Sequence, residues 1–150
     1  MTYRFRPYIF LTAAVIFAAD RLSKYLAAAN LDPGESVRVI SGIFHITLVL
    51  NNGAAFGIFK SGAGFFIVFS IAAIALMMFF IMRSHTMDVI TATAFAFILG
   101  GASGNLVDRL KFGYVIDFLD FRVWPVFNIA DSAITIGVIL LALAMFLKRP

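Results

Sequence analysis

Four apolar runs divide the chain, at about 7–28, 62–82, 89–107 and 129–147. A helix needs roughly 20 residues to cross the hydrocarbon core, so each run is expected to be a transmembrane helix. Between the first two the pattern changes. Val37-Arg38-Val39 and Phe44 to Leu50 alternate with a period near two and are rich in β-branched residues, which predicts short strands. Asp32-Pro33-Gly34-Glu35 signals a turn ahead of them. Asn51-Asn52-Gly53 signals a tight turn after them, because Asn and Gly tolerate positive φ. Ala54 to Phe59 is expected to return as a strand-like piece, so that residues 30–60 form a small sheet on the membrane surface. Residues 83–88 read as a short polar hairpin loop, and 108–127 as a longer one. The expectation is a single membrane domain over residues 1–150.

Composition supports this. The chain is 62% hydrophobic and 13% charged, against roughly 25% charged for a soluble domain. The first run, with Arg4 and Arg6 ahead of it, could pass for a secretory signal ending at Ala27–Ala29. Asp20, Arg21 and Lys24 stand where a cleaved signal would be small and neutral, so it is read as a retained span. The formal charge of +4 does not gather into a stripe, which excludes nucleic acid as a partner. With no cysteine and two distant histidines, no metal site and no cofactor are expected. Four spans put both termini on one side. Residues 1–7, 83–88 and 148–150 carry five basic residues in 16 positions, while 29–61 and 108–127 carry five in 53. That density places both termini in the cytoplasm and the longer connections outside. Tyr114 and Trp124 suit the outer interface.

The polar material concentrates between Gly100 and Asp131, where Asn105, Asp108, Arg109, Asp117, Asp120, Asn128 and Asp131 all fall. Ionisable groups beside hydrocarbon are costly, and their default reading is functional. Each also has a plainer one. Asn128 and Asp131 resemble a capping box at a helix start, and an acid there complements the helix dipole. Asp108-Arg109 could be a terminal ion pair, and Asp117 and Asp120 the polar side of an interfacial turn. Gly100 and Gly104 form a small-xxx-small pattern that favours close helix packing. Asp20 and Lys24, four apart on one helix face, could simply be a snorkelling pair. Together, however, three or four acids converge from the outer ends of adjacent spans. Two close carboxyls cannot both ionise readily, which is what hydrolysis of an amide by activated water requires.

Other chemistries fit less well. Gly101-Ala102-Ser103-Gly104 matches an intramembrane serine-protease motif, but no histidine follows His85 to act as base. Ser23 and Lys24 are helix neighbours pointing about 100° apart, a poor dyad. A transporter with Asp20, Asp108 and Asp131 as a relay would be favoured by acids in mid-span, whereas these lie at span ends.

In order along the chain, Asp20-Arg-Leu-Ser-Lys24, Asn51-Asn-Gly-Ala-Ala-Phe56, Gly100-Gly-Ala-Ser-Gly-Asn-Leu-Val-Asp-Arg109, Val115-Ile-Asp-Phe118 and Phe127-Asn-Ile-Ala-Asp131 resemble the five boxes of bacterial lipoprotein signal peptidases, the signal peptidase II family. Arg21 departs from the glutamine commoner there. The resemblance implies an aspartic membrane endopeptidase that removes the signal peptide from prolipoproteins, cutting before the diacylglyceryl-modified cysteine. It implies four transmembrane helices with a small extracytoplasmic β-cradle. It makes Asp117 and Asp131 the catalytic pair, with Asp20, Lys24, Asn51, Gly53, Asn105, Asp108, Arg109 and Asn128 supporting or binding substrate, and removes Asp120 from the chemistry. The expected partners are lipid-modified prolipoproteins and membrane lipids, met by a monomer in the bacterial cytoplasmic (inner) membrane with its active site at the outer face.

Overall fold

The computed structural model describes residues 5–53, 62–84 and 86–147. The strand-like return expected at Ala54 to Phe59 lies outside them. The elements are α1 (Arg6–Asn30), β1 (Ser36–Ile40), β2 (Phe44–Asn51), α2 (Gly62–Arg83), α3 (Val89–Phe112), β3 (Val115–Asp120) and α4 (Ile129–Leu147). The fold is mostly helical with one small sheet.

Among the described residues three helices are long and apolar enough to cross a membrane, over Gly64–Arg83, Val89–Phe112 and Ile129–Leu147. The helix α1 is as long, but Asp20, Arg21 and Lys24 interrupt its apolar character. Leu11, Val15, Phe65, Val68, Phe69, Leu143 and Met145 are exposed, an outward apolar surface that suits lipid.

Helix α3 is the central element, packed against α1, α2 and α4. Its N-terminus is capped by Asp88, whose side chain accepts the Thr91 N–H at 2.9 Å. It stops at Gly113, which takes the left-handed conformation (φ 80°) and donates its N–H to the Arg109 carbonyl. Glycines set the spacing along it. A methyl group on Gly100 would lie 2.7 Å from the Ala13 carbonyl oxygen of α1, and one on Gly101 2.5 Å from that of Ala130 in α4. One on Gly104 would collide with the Asp20 carboxylate. The small-residue run therefore does pack helices closely, on two faces at once. Ile9 and Ala13 of α1, Met77 and Ile81 of α2, and Ala92, Ala96 and Leu99 of α3 form one apolar core. At that end Arg6 donates to the carbonyls of Ile81 and Met82, satisfying the last turn of α2.

The sheet has antiparallel order β1-β2-β3. Its edge strand β1 is wholly exposed, whereas β3 is almost wholly buried. Leu48, Ile116 and Phe118 meet Ala27 of α1 in a second apolar cluster, which seats the sheet on the end of α1. The segment 108–127 therefore differs from the loop expected there. The third helix runs on to Phe112, and VIDFLD is a strand. It escaped the polar-turn reading because both its aspartates point into protein, where partners await them.

Candidate active site

The strand pairing brings β3 alongside β2, with Asp117 opposite Val49 and Val115 opposite Asn51. Helix α4 begins just beyond, with Asn128 immediately before its first residue. Three amide side chains then knit Asp117 and Asp131 together. Asn128 Nδ2 donates to Asp117 Oδ1 at 2.6 Å. Asn128 Oδ1 accepts the Asp131 backbone N–H at 2.8 Å, the N-cap bond of α4. Asn51 Nδ2 donates to Asp117 Oδ2 at 2.8 Å. Asn105 Nδ2 donates to Asp131 Oδ1 at 2.7 Å, and Asn105 Oδ1 accepts from Asn128 Nδ2 at 3.2 Å.

An amide can face either way, but here each has a fixed sense. The Gly53 backbone N–H donates to Asn51 Oδ1 (2.9 Å), so Asn51 must turn its amino group to Asp117. The Asp131 N–H fixes Asn128 in the same manner. Lys24, which can only donate, meets Asn105 Oδ1 at 2.8 Å and turns that amino group to Asp131. Gly53 itself needs its positive φ of 72° for the turn, and a side chain there would strike the Phe66 ring.

Beneath this layer lies a buried ion cluster. Lys24 Nζ is 2.8 Å from both Asp20 Oδ2 and Asp108 Oδ2, all three side chains being inaccessible. The contact with Asp20 is an ion pair lying off the axis of a directed hydrogen bond. Arg21 pairs with the other oxygen of Asp108. Asp108 Oδ2 also receives the Ile116 N–H at 3.3 Å, and Asp20 Oδ1 the Ala130 N–H at 2.9 Å. The cluster therefore fastens both β3 and the start of α4 to α1. Charges this deep persist only when paired and hydrogen-bonded.

Burial pushes the Asp117 carboxyl up, and the negative charge of Asp131 adds to it, against the lowering effect of the Asn51 and Asn128 amides; it reaches about 6. Asp120 behaves oppositely. Its carboxylate accepts from Thr47 Oγ1 at 2.7 Å and from Arg122, and these bonds hold it below the usual carboxylate range. The Arg109 guanidinium carbon stands 5.1 Å from the centre of the Phe66 ring and feels the charges of Asp131 and Asp117.

All ten residues expected at the site thus meet in one connected assembly. Its capping reading is half right, since Asn128 does cap α4 while the Asp131 carboxylate turns to Asn105 instead of completing a box. Three partnerships were missed. Arg21 pairs with Asp108, Asp20 binds the first turn of α4, and Phe66 lies under Arg109. Spacing gave no sign of any of them. The four-residue offset of Asp20 and Lys24 signalled their own pairing, not what lies above it.

The architecture is that of a bacterial membrane enzyme. A bacterial membrane enzyme solved by the in meso method at 1.9 Å resolution superposes with a TM-score of 0.90 at 34% identity, over 97% of this chain and 96% of that one. A second, solved by the same method at 2.3 Å resolution, gives 0.87 at 34% identity, over 95% of this chain and 89% of that one. The family described as signal peptidase (SPase) II matches residues 12–147, and the chain belongs to that family. The lipoprotein signal peptidase of Moorella thermoacetica is 44% identical over 142 residues, 94% of this chain and 93% of its own. That of Halothermothrix orenii is 38% identical over 138 residues, 92% and 94% respectively.

Proposed function

We propose that Asp117 and Asp131 are the catalytic pair with which this membrane peptidase removes signal peptides from prolipoproteins, cutting before the diacylglyceryl-modified cysteine. Family membership supplies the reaction class. The assignment of roles rests on one observation above others. A single amide, Asn128, binds Asp117 through its nitrogen and the first turn carrying Asp131 through its oxygen.

In this reading a water sits between the two carboxyls. Asp131, with Oδ1 held by Asn105, takes a proton from the water as its oxygen attacks the scissile carbonyl carbon. Asp117, raised towards neutrality, gives its proton to the carbonyl oxygen. The tetrahedral diol then collapses, its proton passes to the departing nitrogen, and the C–N bond breaks. Covering the site with lipid and peptide removes water and strengthens the case for one shared proton. Arg109, over Phe66 and beside both acids, binds and orients the peptide. It cannot serve as a base near neutral pH.

The placement follows from the chemistry. The lipid of the substrate stays in the bilayer while water must reach the peptide bond, so the sheet end of the bundle lies at a membrane face, the outer one by the density of basic residues. α1 spans as a fourth helix, the whole is one membrane domain acting as a monomer, and both termini lie in the cytoplasm, in accord with the density of basic residues. The β1–β2–β3 sheet is the cradle on the outer surface.

Asp117→Asn and Asp131→Asn tests the roles. Asparagine keeps the shape but cannot cycle a proton. Each variant should insert, fold and fail to cleave a diacylglyceryl-cysteine precursor in detergent. Asp120→Asn should retain substantial turnover, because Asp120 serves Thr47 and Arg122. An Asp131→Asn protein cleaving near the wild-type rate would remove the aspartic mechanism.

A further inference from the structure

Lys24 does more than a structural ion cluster requires. Asp20 and Asp108 are already balanced by Lys24 and Arg21, two charges of each sign. Charge balance explains those contacts. It leaves unexplained the third group at Lys24 Nζ, the Asn105 carbonyl oxygen at 2.8 Å.

An ammonium has three donors and no acceptor. Facing it, Asn105 has to present Oδ1, and its Nδ2 is thereby aimed at Asp131 Oδ1, 2.7 Å away. Asn128 Nδ2 also approaches Asn105 Oδ1, but at 3.2 Å, and it serves Asp117 and the Ile116 carbonyl as well. The charged contact from Lys24 is the stronger lock. Gly104 adds a second observation. It lies one residue before Asn105, and its missing side chain leaves the space that the Asp20 carboxylate occupies beside Lys24. The bundle is built so that the carboxylate partner of Lys24 fits at this depth.

We propose that Lys24 is a positioning residue for peptide hydrolysis: it fixes the Asn105 amide so that an N–H, and never a carbonyl, meets Asp131. The proposal rests on the reading of Asp131 as the base. A reversed Asn105 would set oxygen against oxygen, repel the carboxylate and displace it from the attacking water. Misplacement of about 1 Å in a catalytic group costs on the order of a hundredfold in rate.

The test is a double-mutant cycle on single-turnover cleavage of a diacylglyceryl-cysteine precursor peptide, with Lys24→Met, Asn105→Ala and the pair. Lys24→Met should lower the chemical rate roughly ten- to a hundredfold while KM stays within about twofold. Asn105→Ala should do the same, and the pair should fall no further than the worse single variant, since both remove one device. If Lys24→Met is not recovered folded, the cycle is run in an Asp20→Asn background, so that the two changes together remove one buried charge of each sign while an oxygen remains for the Ala130 N–H. Losses that multiply, a rise in KM that accounts for the whole effect, or no loss at all would each overturn the proposal. Asp131→Asn in the same assay separates the two claims. If it is inactive and the cycle is additive, only the role of Lys24 falls. If it is active, the base assignment and the role of Lys24 fall together.

Discussion

Asp20 and Ala130 are 110 residues apart, yet the carboxylate of one accepts the backbone N–H of the other at 2.9 Å. The first turn of α4, which carries Asp131, is thereby tied to the middle of the ion cluster on α1. A helix start has orphan N–H groups, and a buried anion is a strong partner for one of them.

Replacing Asp20 should separate its two duties. Asp20→Asn keeps an acceptor for Ala130 and should fold and cleave. Both variants leave Lys24 half-paired, but Asp20→Leu also leaves the Ala130 N–H buried without a partner and should lose about 1–3 kcal/mol more. Thermal unfolding in detergent, followed beside turnover, measures both. Equal stability of the two variants would mean the bond does not hold α4 in place.

The raised Asp117 carboxyl makes a pH prediction of definite sign. Its folded value, about 6, lies above the ordinary value of ~4, so the folded protein holds this proton more tightly than the unfolded chain. That contribution is fully present below about pH 4 and is lost as pH rises to about 6, a change of roughly 3 kcal/mol. Asp120 has the opposite sign, contributing above the ordinary carboxylate value and losing its effect as pH falls. Melting temperatures of wild type and Asp117→Asn across pH 4 to 7 isolate the first effect. The wild type should lose stability relative to the variant over that range, and parallel curves would contradict the burial argument.

Gly101 is predicted to be indispensable. An alanine methyl there would press on the Ala130 carbonyl oxygen and lie 2.9 Å from Ile134 Cγ1. Backbone cannot yield as a side-chain tip can, so α4 would be displaced and Asp131 with it. Gly101→Ala should cost about 1–3 kcal/mol and most of the activity. Gly64→Ala, where the added methyl meets nothing within 4 Å, is the control.

Trp124 is the single tryptophan of the chain and is 69% exposed, next to the still more exposed Val123. Arg122, with φ 64°, is held by Asp120 and turns the chain towards this tip. If the sheet rests at the outer interface, Trp124 sits among headgroups. Its emission in vesicles should be quenched more by lipids brominated near the carbonyls than by lipids brominated near the chain ends. Deep quenching, or none, would contradict the placement.

Sequence periodicity revealed α2 and α4 nearly to the residue, because their own residues are apolar over nearly their whole length. It revealed β1 and β2 because their β-branched residues alternate with polar ones towards the exposed edge of the sheet. It did not reveal β3. A strand buried on both sides loses alternation, and VIDFLD hides two aspartates whose partners, Asn51 and Thr47, come from β2. The end of α3 was placed too early for a similar reason. Asn105 and Asp108 look like the polar edge of a span, but they face Lys24 inside the bundle. The motifs named ten residues that the fold brings together, but neither Phe66 nor the pairing of Arg21. What they could not convey was direction, namely which way each amide points and which oxygen each donor meets. That is fixed by contacts such as Lys24 to Asn105, between helices far apart in the chain.

Asp131 belongs to the last helix, and the groups that orient it come from the first and third. A chain emerging from the ribosome therefore carries Asp117 before it has anything to work with. On the proposed pairing, the site is complete only when α4 is seated against α1 and α3.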